Sequence, residues 1–439
     1  MKTIVFIGAN KSGSSYEALK ASEELHYYTV LLTDRKSFFD KRMDFPHVHS
    51  MRMCNLENID EVRSAIDRIA QDRFTVCAIV SFIDPHSHTA ARLSREFGLQ
   101  AFTAKAIAAM LDKVKSREAL QKTPYSPPYR ILNHAIPVLG TRLEMPVVLK
   151  APVSSASKDV HVASTRRQYQ NALAKLRKRN PDGPILVEKY MPGPQYLVET
   201  LTQNGRVTII ALIEQEIVCA GKFIVTGYQI ITEEDSRFFR RLKQAVREII
   251  EALGMRDGPC HLEFRHFDKE WKLIEANPRM SGGAMNLLIE TAYGVNLARE
   301  TLQFAAGLTP DLARRQQKDA FLQYVLVPET GTLTKVTGKN MAQNSPGVKQ
   351  VYVKPKKGTI LTPPASMGQR YAYVIAAGAS ADEAREHAKS AAAKIKFHLS
   401  LSDNIPHEPM ETASGIDDTC ISIDYFADNI VYEPQPHAH

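Results

Sequence analysis

Five cysteines, at 54, 77, 219, 260 and 420, are few and scattered, and none forms a CxxC pair. Their odd number and spacing exclude both a disulfide framework and a zinc cage, and a reducing cytoplasmic setting is the expectation. No apolar run approaches the ~18 residues that span a bilayer, so no membrane partner is expected. The opening MKTIVFIGANKSG is broken by Asn10 and Lys11, too soon for a secretion signal, and reads as a first buried strand. No basic motif interleaved with aromatics is present, so the net charge of +8 does not point to nucleic acid. Its densest basic run, TRRQYQNALAKLRKRN at 165–180, has leucines three apart and reads as a solvated helix face, with a phosphate-binding patch as the alternative. A net positive charge also suits an enzyme that handles anions such as nucleotides. Gly8 and Gly13 have the spacing of a phosphate loop, but Ser14 stands where that loop needs lysine. A plain glycine turn remains, which can still line a crevice at a strand end.

What is present suits a large α/β enzyme. With 439 residues and 44% hydrophobic content, the chain can bury cores for two or three domains. Residues 1–105 alternate apolar strand-length runs (TIVFIGA, YYTVLLTD, VCAIVSF) with helical segments, a βαβ pattern that implies a parallel sheet. A helix, IAAMLDKVKSREALQK, and a Pro-rich connector follow. Strands MPVVLKAP, ILVEKYMPGPQYLVETLT, RVTIIALIEQ and EIVCAGKFIV come next, with the helix SRFFRRLKQAVREIIEALG. Residues 320–400 carry short strands and one amphipathic helix, SADEAREHAKSAAAKIKFHL, and the tail after about 405 is rich in Pro, Asp and His.

The segment HLEFRHFDKEWKLIEANPRMSGGAMN, 261–286, reads as a hairpin. A three-residue loop at 268–270 would set Glu263 opposite Glu275 and His261 opposite Asn277, with Leu262, Phe264, Ile274 and Ala276 on the core face. Opposed residues have Cβ atoms about 4.5–5.5 Å apart, so the two carboxylates repel unless something lies between or beside them. Arg265 or Arg279 is one remedy. A divalent cation is the other, since two carboxylates, the Asn277 amide oxygen and phosphate oxygens make a hard site suited to Mg²⁺. Lys150 at a strand end, the small-residue run SSASKDV and the segment ILVEKYMPG would supply a phosphate cation, a cover and an adenine slot.

In order and spacing these pieces resemble the ATP-grasp superfamily, over about 1–400, and within it the L-amino-acid ligases and related carboxylate–amine ligases. The strongest element is HLEFR…LIEANPRMSGG; GTLTKVTG, KKGTIL and RYAYVIAAGASADEA add to it. The resemblance implies an N-terminal βαβ domain (1–105), an ATP-grasp domain (106–310), a C-terminal α+β subdomain (311–405) and a tail (406–439). It implies ATP with Mg²⁺, Mn²⁺ being an admissible substitute, held by Glu263, Glu275 and Asn277. It places Arg279 on the acyl phosphate, Lys113 and Lys150 on phosphates, and Glu188 with the Tyr190 and Met191 backbone at adenine. Ser155, Ser157 and Lys158 fall in the phosphate cover, which departs from the family in having no glycine. Gln195 stands where a ribose-binding Glu is usual. Gly282 and Gly283 would receive a substrate carboxylate, and His261 would contact substrate or assist the amine, a satisfied core histidine being the other reading.

The expected activity joins a small carboxylate and an amine, both amino acids, through an acyl phosphate, with ADP released. An ATP-binding scaffold without turnover and a biotin-carboxylase-like enzyme are the alternatives; the second would need a tetraglycine loop that this chain lacks. The loops IDPHSH (83–88) and TGYQIITEED (226–235) are candidates for specificity. Many superfamily members dimerise, so a homodimer is compatible with the resemblance.

Overall fold

The computed structural model describes residues 1–133, 144–154, 159–219, 223–327, 329–364 and 369–400. The expected phosphate-cover residues Ser155, Ser157 and Lys158 and the tail 406–439 lie outside the described residues. The first strands, β1 (Lys2–Ile7), β2 (Tyr28–Thr33), β3 (Ser50–Met53) and β4 (Thr75–Val80), form a parallel sheet in the order β3-β2-β1-β4. Ile4 to Ile7 are wholly buried, as strands covered on both faces must be, which is why they read as continuous apolar runs. The edge strand β3, SMRM, is only half-buried and carries no such signal.

A smaller antiparallel sheet follows: β5 (Tyr129–Leu132), β6 (Val147–Lys150), β7 (Val160–Ala163) and β8 (Ile185–Lys189), in the order β5-β8-β6-β7. The basic helix Arg166–Arg179 lies on it. Tyr169, Ala172 and Leu176 enter the core while most of its arginines and lysines face solvent.

The remaining strands are β9 (Gln195–Gln203), β10 (Arg206–Cys219), β11 (Phe223–Ile230), β12 (Gly258–Phe267), β13 (Glu270–Asn277), β14 (Asp319–Val325), β15 (Gly331–Thr337), β16 (Val348–Val353), β17 (Ile360–Leu361), β18 (Ala372–Gly378) and β19 (Lys396–Ser400). Eight of them make one sheet, β13-β12-β9-β10-β11-β14-β18-β16, and β17-β15-β19 make a small one. The large sheet thus runs across residue 311, where the C-terminal subdomain was expected to begin. One face packs Val198, Leu212, Leu262 and Leu273 against the helix Arg237–Ala252. On the other face Leu197, Ala211 and Ile213 share a core with the helices Met285–Tyr293 and Leu297–Ala305 and with Phe6 and Val80 of the parallel sheet. The N-terminal sheet is therefore packed onto the face of the large sheet that carries the hairpin carboxylates.

Three expected elements are corrected. The helix expected at 107–122 is two, Ala104–Met110 and Lys113–Ala119, because Asp112 caps the second by accepting from the Val114 and Lys115 backbone N–H groups at 2.9 and 3.3 Å. The C-terminal helix stops at Ala392; KFHLS alternates half-buried and exposed residues and continues as β19. The strands expected at 206–215 and 216–225 divide later, β10 running on to Cys219. Among the described residues no helix is long and apolar enough to cross a membrane.

Candidate active site

The hairpin turn has two residues, Asp268 and Lys269, both left-handed at φ 50° and 63°, so Phe267 pairs with Glu270. Such a pair of positive φ values suits the right-handed twist of the strands. A two-residue turn alone would shift the pairing by one. A bulge at Ile274 restores it: Phe264 pairs with Leu273, Glu263 with Glu275 and His261 with Asn277. Trp271, Leu273 and Ala276 are consequently the buried side of β13, and Ile274 is not. The expected carboxylate pairing is met by a different route from the expected three-residue loop. The bulged carbonyl of Ile274 accepts from Arg117 Nη2 at 2.7 Å.

Each of the opposed carboxylates has its own partners. Glu275 meets Lys113 Nζ at 3.1 Å, and the same ammonium donates to the Ser154 carbonyl at 2.8 Å. Glu263 accepts from Gln195 Nε2 at 2.8 Å and from His261 Nε2 at 3.3 Å. His261 Nδ1 lies 2.5 Å from Glu199 Oε1, and Glu199 Oε2 accepts from the Ser281 backbone N–H at 3.1 Å. Burial works against a charged His261, but Glu199 foremost and Glu263 after it override burial and push its pKa up to about 10. Burial likewise opposes ionisation of Glu263, and His261, Arg279 and Lys150 hold its pKa below the usual carboxylate value. Both ring nitrogens of His261 are thus engaged by carboxylates, Nδ1 by Glu199 and Nε2 by Glu263.

Each of the arginines expected to offset the carboxylates also has partners of its own. Arg265 donates to the Gly193 carbonyl at 3.1 Å and to Gln195 Oε1 at 3.3 Å, and lies over the Tyr190 ring. Arg279 grips Asp84. Gln195, expected at ribose, sits between Glu263 and Arg265. Lys150, at the end of β6, lies 2.6 Å from Glu188, whose other oxygen is held by Arg117. Arg117 and Lys150 outweigh burial and bring the Glu188 pKa down to about 2. The carboxylate expected at adenine is therefore engaged by two cations. Beside it the Tyr190 N–H donates to the Pro146 carbonyl at 3.0 Å, and Met191 is buried.

Gly282 and Gly283 lie between β13 and the helix Met285–Tyr293. Gly283 has φ +67°, and a Cβ there would stand 3.2 Å from Tyr324 Oη. A Cβ on Gly13, in the turn after β1, would stand 3.1 Å from Gly283 N, so the N-terminal turn presses on this loop. The structure thus gathers Glu263, Glu275, Asn277, Lys113, His261, Gln195 and the Arg279–Gly283 loop. Three further residues of this cluster, Asp84, Arg117 and Glu199, carried no signal of their own. Glu199 is a carboxylate within an otherwise apolar and Thr strand, YLVETL, and that mismatch was the available clue. Asp84 stands in the IDPHSH loop, at the carboxyl end of a parallel strand, where crevices form.

The comparisons follow this geometry. Residues 143–287 match the model of the ATP-grasp domain, and residues 323–400 match the L-amino acid ligase C-terminal domain 2. Residues 143–287 of the chain are thus an ATP-grasp domain. A crystal structure of L-amino acid ligase from Bacillus licheniformis superposes with TM-score 0.78 at 18% identity, over 91% of this chain and 99% of that one. Phosphoribosylglycinamide synthetase from Anaerococcus prevotii gives 0.71 at 14% identity, over 91% and 100%. At these identities the likeness is one of fold. A protein of Sinorhizobium fredii, known only as uncharacterized protein y4rH, is 24% identical over 91% of this chain and 83% of its own length. The carbamoyl phosphate synthase large chain of Methanothrix thermoacetophila is 27% identical over 39% of this chain, which spans only 16% of that longer protein.

The ATP-grasp site has donors that fit a hard cation with phosphates. Among the described residues no three His, Cys, Asp or Glu side chains gather into a protein-only cage. Mg²⁺ does not need one, since one or two carboxylates and substrate phosphates suffice. The hydroxyls of Ser154 and Ser281 are buried without a partner among the described residues, one beside Lys113 and one beside Gly282. Such orphaned polar atoms are uncommon in a settled interior and suit a bound polar group.

Proposed function

We propose that this ATP-grasp protein is a carboxylate–amine ligase that joins small-molecule substrates, amino acids foremost, through an acyl phosphate. The observation that carries the reading is the facing of Glu263 and Glu275 beside Asn277, next to the loop that bears Arg279. These three residues would hold Mg²⁺, or Mn²⁺, which when bound offsets phosphate charge and orients the phosphate oxygens. Lys113 and Lys150 would face the phosphates; Ser155, Ser157 and Lys158 would cover them; and Glu188, Tyr190, Met191 and Gln195 would frame the nucleoside. A substrate carboxylate oxygen attacks the γ-phosphorus in line, and ADP leaves with the bonding electron pair. The amine then attacks the acyl carbon, loses a proton, and expels inorganic phosphate. Arg279 would stabilise the acyl phosphate, and the N–H groups around Gly282 and Gly283 would receive the substrate carboxylate.

The match at 323–400 to an L-amino acid ligase domain supports this reading over a biotin-carboxylase-like one. Residues 1–105, 106–310 and 311–405 are read as its three working parts. Nucleotide turnover with Mg²⁺ against the proteinogenic amino acids, singly and in pairs, tests it. ADP with a condensed amide, lost in Glu275→Gln, is the expected result. AMP with pyrophosphate would sink the acyl-phosphate route, and ATP binding without turnover across a wider set of acids would favour a scaffold.

A further inference from the structure

Arg279 is oriented from outside its own sheet. Its Nε lies 2.5 Å from Asp84 Oδ1 and its Nη2 2.8 Å from Asp84 Oδ2, while Nη1 donates to the Met280 carbonyl at 3.1 Å. Asp84 opens the helix Asp84–Glu96 that follows β4 of the N-terminal sheet. A guanidinium has five N–H donors in one plane. Asp84 takes two along the side edge and Met280 takes a third. The last two, one on each terminal nitrogen, have no partner among the described residues.

We propose that Asp84 is a positioning residue, clamping Arg279 by its side edge so that this remaining pair of N–H groups meets the oxygens of the phosphoryl group as a fork. The proposal rests on the ligase reading above. Two contacts make the clamp rigid. The Gly13 turn presses on Gly283, which fixes the N-terminal domain against the loop. Glu199 holds the Ser281 N–H. The loop is thus pinned at two points just after Arg279, and bidentate pairing sets the plane of the guanidinium as a single contact would not. Positioning and charge predict opposite signs here. A carboxylate beside a phosphate site repels the phosphate, so if Asp84 only tuned charge, its removal would tighten phosphate binding. If it orients the fork, removal loosens binding.

The test is titration of inorganic phosphate into the full-length protein saturated with Mg-ADP, alongside turnover. Asp84→Ala is expected to weaken phosphate binding tenfold or more and to lower kcat by a similar factor, with the Mg-ADP affinity and the KM for ATP changed less than twofold. Asp84→Glu is expected to recover part of the loss. Arg279→Ala is expected to lose phosphate binding, and adding Asp84→Ala to it should change nothing further, because residues acting as one unit are not additive. Asp84→Asn keeps the shape of the side chain and serves if Asp84→Ala does not fold. Phosphate binding that is unchanged or tighter in these variants, additive losses, or no phosphate binding by the parent protein would each overturn the proposal. A parent protein that binds phosphate in the Asp84-dependent way yet releases no ADP with any acid and amine would overturn the ligase reading and leave the clamp standing.

Discussion

Lys113 and Lys150 occupy equivalent places in the expected chemistry, yet the chain treats them differently. Lys150 is 6% exposed and faces a Glu188 that is 2% exposed, 2.6 Å away. Lys113 is 11% exposed and faces a Glu275 that is 31% exposed, 3.1 Å away. Glu188 also holds Arg117, whose own Nη2 holds the bulged Ile274 carbonyl of the hairpin. The first pair is a fixed strut between the small sheet, the helix Lys113–Ala119 and the hairpin strand β13. The second is more exposed, and under the proposed reading Glu275 would release Lys113 to a phosphate when a cation takes its place. The contrast teaches that the two lysines differ by burial rather than by residue type, the one locked and the other, on that reading, releasable.

Breaking the locked side should have the largest effect. Glu188→Gln leaves Arg117 and Lys150 buried without a counter-charge, a loss of about 3–5 kcal/mol of stability, measurable by denaturant unfolding. Its pH dependence has a definite sign. The folded pKa, brought down to about 2, lies below the ordinary 4.5, so the stabilisation is complete above about 4.5 and fades as pH falls toward 2. The gap in stability between the parent protein and Glu188→Gln should therefore narrow by about 3 kcal/mol over that window. A constant gap would mean that Glu188 does not titrate through this ion network.

The releasable side should respond in activity rather than stability. Lys113→Met removes a partly exposed pair worth about 0.5 kcal/mol, so the unfolding midpoint should move little. The KM for ATP should rise by roughly tenfold, the equivalent of about 1.4 kcal/mol. A large loss of stability with an unchanged KM would place Lys113 with the strut and erase the contrast.

Legibility follows the same division. The parallel strands were readable because burial on both faces makes them unbroken apolar runs. The facing of Glu263 and Glu275 was readable because a three-residue loop sets the same register as the two-residue turn with one bulged residue. The bulge was not: Ile274 differs from Leu273 in no local property, and only the two-residue turn forces one of them out of register. The partners of the two carboxylates were also hidden. Lys113 and Gln195, and Glu199 behind His261, come from distant strands and helices, and pairing over such separations leaves no local pattern. Asp84 is the clearest case, since its link to Arg279 depends on how the N-terminal sheet packs on the large one.

The smallest expected effect concerns Gly283, where the turn after β1, the loop 279–283 and β14 converge. At φ +67° any side chain is strained, and a Cβ would come within 3.2 Å of Tyr324 Oη. Gly283→Ala should cost about 1 kcal/mol of stability by backbone strain. Tyr324 can yield only slightly, since Arg370 lies 3.9 Å over its ring and Tyr228 stands edge-on to it. Part of the strain should therefore pass to the loop, raising the KM for the carboxylate substrate while the KM for ATP stays as it was. Equal rises in both would mean that the loop and the nucleotide site move as one body, and that the releasable side of the site extends to Gly283.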